Sequence, residues 1–334
     1  MSDRPVRVVA VAFDHHQGRT QAIADEFGGR ASYFRSRPTQ KVLLPVRYLV
    51  DAVRMWRMLL AEGPEVIIVI TPPAVAPLVA WCWCATHRCR LVVDCHTSSF
   101  YSWRWRWSLP LLKLVCKTAV AALVHTHEDL DRVGAWGVRA LLFPDDVPDV
   151  SQAQAQPQAT RPTVVVAGSL DPFEPIEATL DAARLLPDVE MRFTGYPHRV
   201  PEIARRAAPA NSVFTGWLDY PRFLGELLAA HAVAVFSTDP HIMNRAAFEA
   251  IGLGRPLVLS DLPGLRSRFG QAALFSPNEP HAMADAIRRA LQQQDELAVK
   301  STQLQSTLRA QHQDAVAKLT AMLEAPHQVS LETA

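Results

Sequence analysis

The chain alternates between two hydrophobic textures. Short apolar runs, many of them β-branched, have the look of parallel strands buried on both faces. Between them lie longer segments whose apolar positions recur three and four residues apart, the spacing of an amphipathic helix. In order, the pattern predicts strand 6–13, helix 19–27, strand 31–34, helix 46–61, strand 66–71, helix 74–87 and strand 90–95. Helix 109–118, strand 120–126, helix 128–136 and strand 139–143 complete a first series. The stretch 144–162, PDDVPDVSQAQAQPQATRP, interrupts it with Pro, Gln and Ala and reads as a linker. A second series follows: strand 163–167, helix 175–186, strand 190–194, helix 201–208, strand 212–215, helix 220–230 and strand 232–236. Phe248, Glu249 and Ala250 then lie on a helix that ends at a Gly-rich turn, 252–254, before strand 257–260. From Pro280 onward the sequence is helical, polar and free of Gly.

Strands alternating with helices imply an α/β protein with doubly wound parallel sheets. Two such series imply two Rossmann-like domains facing a ligand cleft. The expected division is 1–145, a linker 146–162, a second domain 163–305, and a terminal helix and tail 306–334 that crosses back to the first domain.

Composition changes this picture in one place. Hydrophobic residues make up 49% of the 334 and charged residues 20%, the balance of a globular chain that forms about two domains. The net charge of +1 conceals a basic region: residues 30–117 hold thirteen Lys/Arg against four Asp/Glu. Such a surface suits an anionic partner. Helix 46–61 sets Arg47, Arg54 and Arg57 beside Leu49, Val50, Val53, Met55 and Trp56, and residues 103–107 read Trp-Arg-Trp-Arg-Trp. Trp with Arg favours a membrane interface or a lipid-phosphate acceptor. A core helix with a solvated face is the next alternative, and stacking on nucleic-acid bases the weakest. The uncharged run 66–86 is interrupted by Pro72, Pro73 and Pro77, so a buried strand and helix explain it better than a membrane span. Five Cys crowded between 82 and 116 and no signal peptide imply a reducing compartment.

Parallel strands deliver functional groups at their C-terminal ends. Those ends carry Asp14-His15-His16, Thr71-Pro72-Pro73, Asp94-Cys95-His96-Thr97, Gly168-Ser169, Thr194-Gly195 and Thr215-Gly216. In an extended segment Asp94 and His96 face the same way, so a carboxylate and an imidazole can share a pocket. Backbone N–H groups at Gly168 and Ser169 can meet a phosphate. Glu249, near a helix N-terminus that suits a pyrophosphate, can accept hydrogen bonds from ribose hydroxyls. No Walker loop and no G-x-G-x-x-G follows either first strand, which argues against an ATPase or a nicotinamide dehydrogenase. Cys82 and Cys84 point about 200° apart on a helix, the wrong disposition for zinc with His87 and Cys89. Ser108 lacks the Gly neighbours of a nucleophile elbow.

The second half resembles the donor domain of GT-B glycosyltransferases near glycosyltransferase family 4. The resembling segments are AGSL at 167–170, TG at 194–195, FTGWLDY at 214–220 and NRAAFEAIGLGRPLVLSD at 244–261. YFRSRP at 33–38, TPP at 71–73 and DCHTSSF at 94–100 are similar to the family's acceptor domain. The resemblance implies a nucleotide-sugar donor, UDP- or GDP-linked, transfer without a metal, and an acceptor that is lipid-linked or a polysaccharide. It implies a place at the cytoplasmic membrane face and no nucleic acid. Glu249 matches the second Glu of the family's E-x7-E motif and so the ribose ligand; His96 matches a pocket histidine near the transferring sugar. Two departures stand out. His241 occupies the position of the first Glu, and LDPFEPIE at 170–177 lacks the usual phosphate-holding Arg and Lys. Arg245 with the backbone N–H groups around Met243 and Asn244 is the expected substitute, and Gly195 lines the same edge. His96 or Asp94 serves as base if the reaction inverts and positions the donor if it retains. Two alternatives stand beside transfer: a sugar-nucleotide epimerase drawing on His15, His96 and His241, and a non-catalytic binding protein.

Overall fold

The computed structural model describes residues 7–14, 17–37, 40–154, 156–157 and 161–325. His15 and His16, expected at the first strand end, lie outside the described residues, as do Val6, Pro38 and the tail from 326.

The first series forms β1 (Val8–Ala12), α1 (Gly18–Glu26), β2 (Arg30–Tyr33), α2 (Leu44–Glu62), β3 (Val66–Thr71), α3 (Val75–Thr86) and β4 (Arg90–Cys95). A short α4 (Ser98–Tyr101), α5 (Leu109–Thr118), β5 (Ala121–Val124), α6 (His127–Gly134) and β6 (Ala140–Leu142) follow. The second series forms β7 (Thr163–Val166), α7 (Ile176–Arg184), β8 (Glu190–Thr194), α8 (Glu202–Arg206), β9 (Ser212–Gly216), α9 (Tyr220–Ala229) and β10 (Ala232–Val235). It continues through α10 (Arg245–Gly252), β11 (Leu257–Ser260), α11 (Pro263–Phe269), β12 (Ala273–Ser276), α12 (Pro280–Gln292) and α13 (Gln294–Glu324). The pattern of the sequence did not reveal α4, α11 or β12. Each is short, and β12 has only four residues in which to show a period.

Each series closes a six-stranded parallel sheet. The orders are β2-β1-β3-β4-β5-β6 and β12-β11-β10-β7-β8-β9. Central strands are the most apolar because helices cover both their faces: VIIVIT of β3 is buried at all six positions and TVVV of β7 at all four. In the first sheet Val9, Val69, Val93 and Val124 pack toward Trp83 and Leu112 of α3 and α5. The opposite face holds Val8, Ile68 and Leu123 together with Ala315, Leu319 and Leu323 from the end of α13. The second sheet is sandwiched in the same manner, with Leu180 and Ile287 on one side and Phe248, Leu265 and Phe269 on the other. Each unit is thus a Rossmann-like, doubly wound parallel-sheet domain.

The chain divides into two compact units, 1–145 with 311–334 and 146–310. The polar stretch after Asp145 packs on the second unit: Val147 is buried, Gln154 N–H donates to the Pro221 carbonyl at 3.0 Å, and a Cβ on Gly225 would sit 2.0 Å from the Gln154 oxygen. A segment poor in apolar residues is fixed there by backbone hydrogen bonds and a glycine-permitted approach. The end of α13 belongs to the first unit, where His312 Nδ1 lies 2.9 Å from the Pro144 carbonyl oxygen. Among the described residues no helix is long and apolar enough to cross a membrane.

Candidate active site

In the first unit the ends of β4, β5 and β6 converge on one buried charge cluster. Asp94, the fifth residue of β4, is 1% exposed. Arg19, at the second position of α1, grips it with Nε to Oδ2 at 2.8 Å and Nη2 to Oδ1 at 3.0 Å. The same guanidinium donates to Asp145 Oδ1 at 2.6 Å and to the Phe143 carbonyl at 2.8 Å. Burial alone would raise the Asp94 pKa, but Arg19 and then His125 outweigh it and hold the carboxyl far below the usual range. Asp145 is drawn down to about 2 by the same cation against its own burial. Both carboxylates are ionised and Arg19 stays charged.

His96 stands beside this cluster. Its ring meets that of His125 edge to face, with centroids 5.0 Å apart, and His125 Nε2 lies 3.6 Å from Asp94 Oδ1. Burial, followed by repulsion from His125, lowers His96 to about 4, so its ring is neutral at pH 7. Ser98 N–H donates to His96 Nδ1 at 3.3 Å. A neutral imidazole that accepts at Nδ1 carries its proton on Nε2. His96 therefore presents a donor at Nε2, and Asp94 is already engaged by Arg19. The pattern of strand ends brought out Asp94 and His96. It did not bring out Arg19 and Asp145, which lie 75 and 51 residues away from Asp94 and join it only through the sheet. His125, at the end of β5, could have been listed by the same strand-end rule.

In the second unit α10 carries the other cluster. Asn244 caps it, its Oδ1 accepting from Ala246 N–H at 3.0 Å. Glu249 is 3% exposed and its Oε1 accepts from Arg245 Nε at 3.2 Å, one helical turn earlier. Burial raises the Glu249 pKa, opposed by Arg245 and by Tyr220, which lies beside both. Arg245 is half-exposed. His241 is half-buried, its N–H donating to Asp239 Oδ1 at 2.9 Å, and Met243 lies partly buried toward α11. Ser237 ties this loop to the neighbouring strands: its N–H donates to Ser260 Oγ and its carbonyl accepts from Asn278 Nδ2, both at 2.9 Å.

The β7 turn departs from expectation. Gly168 N–H donates to Thr194 Oγ1 at 3.0 Å, and the N–H groups of Ser169 and Leu170 each donate to the Glu174 carboxylate at 3.0 Å. The Gly168 and Ser169 N–H groups, expected to meet a phosphate, meet side chains of the same chain here. Gly195, at the end of β8, has φ of +110° and packs on Ser169 so closely that a Cβ would lie 2.6 Å from its carbonyl carbon. The cysteines of α3 form no centre, and among the described residues no group of three or more His, Cys, Asp or Glu is disposed to hold a metal ion.

Residues 161–293 match the family described as glycosyl transferases group 1. The match contains Arg245, Glu249 and the β7 turn. The second unit carries a glycosyl transferases group 1 segment on a GT-B fold. Solved structures agree on the fold. Sucrose-phosphate synthase from Thermosynechococcus elongatus superposes with a TM-score of 0.74 at 14% identity, covering 95% of this chain and 98% of that one. The E. coli trehalose-6-phosphate protein bound with UDP-2-fluoro glucose gives 0.73 at 11% identity, with 96% and 99% covered. Anabaena HepE in complex with UDP and glucose gives 0.70 at 15% identity, with 95% and 100% covered. No curated protein matches the sequence.

Proposed function

We propose that this glycosyltransferase moves a sugar from a nucleoside-diphosphate donor, UDP- or GDP-linked, to a lipid-linked or polysaccharide acceptor at the cytoplasmic face of an anionic membrane. The observation that carries the reading is the coincidence of the group 1 match with the Arg245–Glu249 pair on α10. A buried carboxylate at the C-terminal edge of a parallel sheet suits the two ribose hydroxyls, and the half-exposed guanidinium beside it suits the diphosphate. HepE in complex with UDP and glucose, and the E. coli protein with its UDP-sugar analogue, support a UDP-linked donor.

In this reading the leaving diphosphate is stabilised by Arg245 and the start of α10, a preorganised electrostatic contribution that calls for no resident metal. His96, with its proton on Nε2, donates to a substrate oxygen and positions it. Asp94 and Arg19 hold the strand end that carries His96. An acceptor hydroxyl attacks the anomeric carbon, the bond from that carbon to the diphosphate oxygen breaks with its electron pair leaving on the nucleoside diphosphate, and the departing oxygen takes up the hydroxyl proton.

The membrane part of the proposal rests on one face of the first unit. Val46, Leu49, Val50, Val53 and Leu60 of α2 are exposed beside Arg54 and Arg57. Trp103 and Trp107 are 82% and 70% exposed with Arg104 and Arg106, while Trp105 turns inward toward Tyr48. Exposed aliphatic and indole groups interleaved with guanidinium match an interface of acyl chains and phosphate.

The deciding test incubates the protein with a panel of nucleotide sugars, with and without a lipid-phosphate acceptor, and with and without a chelator. Nucleotide released only with acceptor, and undiminished by the chelator, is the expected result. A free nucleotide sugar that changes configuration without acceptor would instead make the protein an epimerase, and absence of nucleotide binding would make it a non-catalytic relative.

A further inference from the structure

The β7 turn is closed by a carboxylate of its own chain. Two successive N–H groups, from Ser169 and Leu170, converge on the two oxygens of Glu174, each at 3.0 Å. Leu170 adopts φ of +59°, in the left-handed region that a buried leucine seldom occupies. Gly168 lies flat on the carboxylate, where a Cβ would come within 2.2 Å of Oε2. Converging N–H groups at the end of a parallel strand form an anion-binding concavity, and here the anion is internal. The turn is also joined to the donor-binding loop, because Thr238 donates to the Phe173 carbonyl through N–H at 2.7 Å and Oγ1 at 2.9 Å. That loop leads directly into Arg245 and Glu249.

We propose that Glu174 is an intrasteric occupant of this turn that sets donor affinity. Phosphate oxygens reach the Ser169 and Leu170 N–H groups only by displacing its carboxylate. The inference rests on the nucleotide-sugar reading. Burial supports it by raising the Glu174 pKa, a sign that the ionised carboxylate is held at a cost there even with its backbone donors. Asp171 is a second carboxylate on the same turn, and Arg199, the cation there, is engaged by Asp171 at 2.5 Å and by the Ser169 carbonyl at 3.3 Å. A diphosphate approaching the turn meets like charge, and the donor depends the more on Arg245.

Calorimetric titration of the full chain with UDP, GDP, inorganic pyrophosphate and uridine tests this, with Glu174→Ala and Glu174→Gln beside the unaltered protein. The expected result is that the preferred diphosphate nucleotide and pyrophosphate bind about ten-fold tighter to Glu174→Ala, with Glu174→Gln intermediate and uridine unchanged. Glu174→Gln keeps an acceptor oxygen for the turn and carries the test if the alanine variant does not fold. Diphosphates that bind the unaltered protein but gain nothing in the folded variants overturn the Glu174 proposal alone. An equal gain for uridine overturns it too, since the change would then be a general opening of the turn. Failure of every nucleotide to bind any of the three proteins overturns both this proposal and the nucleotide-sugar reading.

Discussion

The two units share a sheet plan and use it differently. In the first, the strand ends hold a charge network of Asp94 and Asp145 around Arg19, with His125 beside Asp94. In the second, the corresponding edge leaves Arg245 half-exposed over a buried Glu249 and closes the neighbouring turn with Glu174. The outer surfaces differ as well. Residues 146–310 carry 15 Lys/Arg against 18 Asp/Glu, whereas the basic excess lies in the first unit, around α2 and the Trp-Arg segment. A closed network fixes geometry and contributes rigidity, while a half-open pair retains the capacity to bind. Similar architectures therefore present a charge network in one unit, the proposed positioning site, and a half-open ion pair in the other, the proposed donor site.

The largest break in this contrast comes from Arg19→Ala. It leaves Asp94 buried without its cation and is expected to cost about 3–5 kcal/mol of stability in urea unfolding. A loss below 1 kcal/mol would mean that the cluster is solvated rather than closed. Acid should expose the same network. His96 has a folded pKa of about 4, below its ordinary value of 6.5, so between those pH values the unfolded chain binds a proton that the folded chain refuses. Stability is then lost as pH falls through that window, by about 3 kcal/mol at full extent. Unfolding midpoints measured from pH 7 to 4 should show this slope, and His96→Gln should flatten it.

The second unit should respond in binding more than in folding. Glu249→Ala is expected to weaken nucleotide affinity about 30- to 100-fold, the worth of charge-assisted hydrogen bonds to two hydroxyls. Calorimetry with the preferred nucleotide checks it, and unchanged affinity would remove the ribose assignment. The smallest effects lie on the basic face of the first unit. Replacing Arg54, Arg57, Arg104 or Arg106 singly with Gln should each weaken binding to phosphatidylserine vesicles by about 1 kcal/mol, roughly five-fold, and less at high salt. Vesicle binding that ignores all four substitutions would dissociate this face from the membrane.

Much of the plan was legible before the structure. The β-branched runs at 66–71 and 163–166 could form only buried parallel strands, and the periodic segments between them had no place except on the sheet faces. Glu249 was legible from its place near a helix N-terminus and from the family motif, and strand-end reasoning reached Asp94 and His96 because a parallel sheet gathers its C-terminal ends on one edge. It could not reach the partners. Arg19 lies on α1, and nothing near it in sequence indicates that β4 and β6 bring Asp94 and the Asp145 segment to its guanidinium. The linker composition likewise concealed that 147–154 packs, since backbone hydrogen bonds leave no hydrophobic signature.

The β7 turn marks the boundary between the two kinds of knowledge. Gly168 and Ser169 are plain in the sequence as a turn whose N–H groups can meet a phosphate, and Glu174 stands in a segment that lacks the usual phosphate-holding cations. Only the folded turn, with Leu170 in the left-handed region, brings the Glu174 carboxylate onto the N–H groups five and four residues before it. The sequence alone determined the longer strands and helices and which residue types stand at their ends, because local periodicity and burial decide those. Tertiary structure decided which charges meet and which donors stay open, because hydrogen bonds and ion pairs depend on distances that only the closed sheet sets.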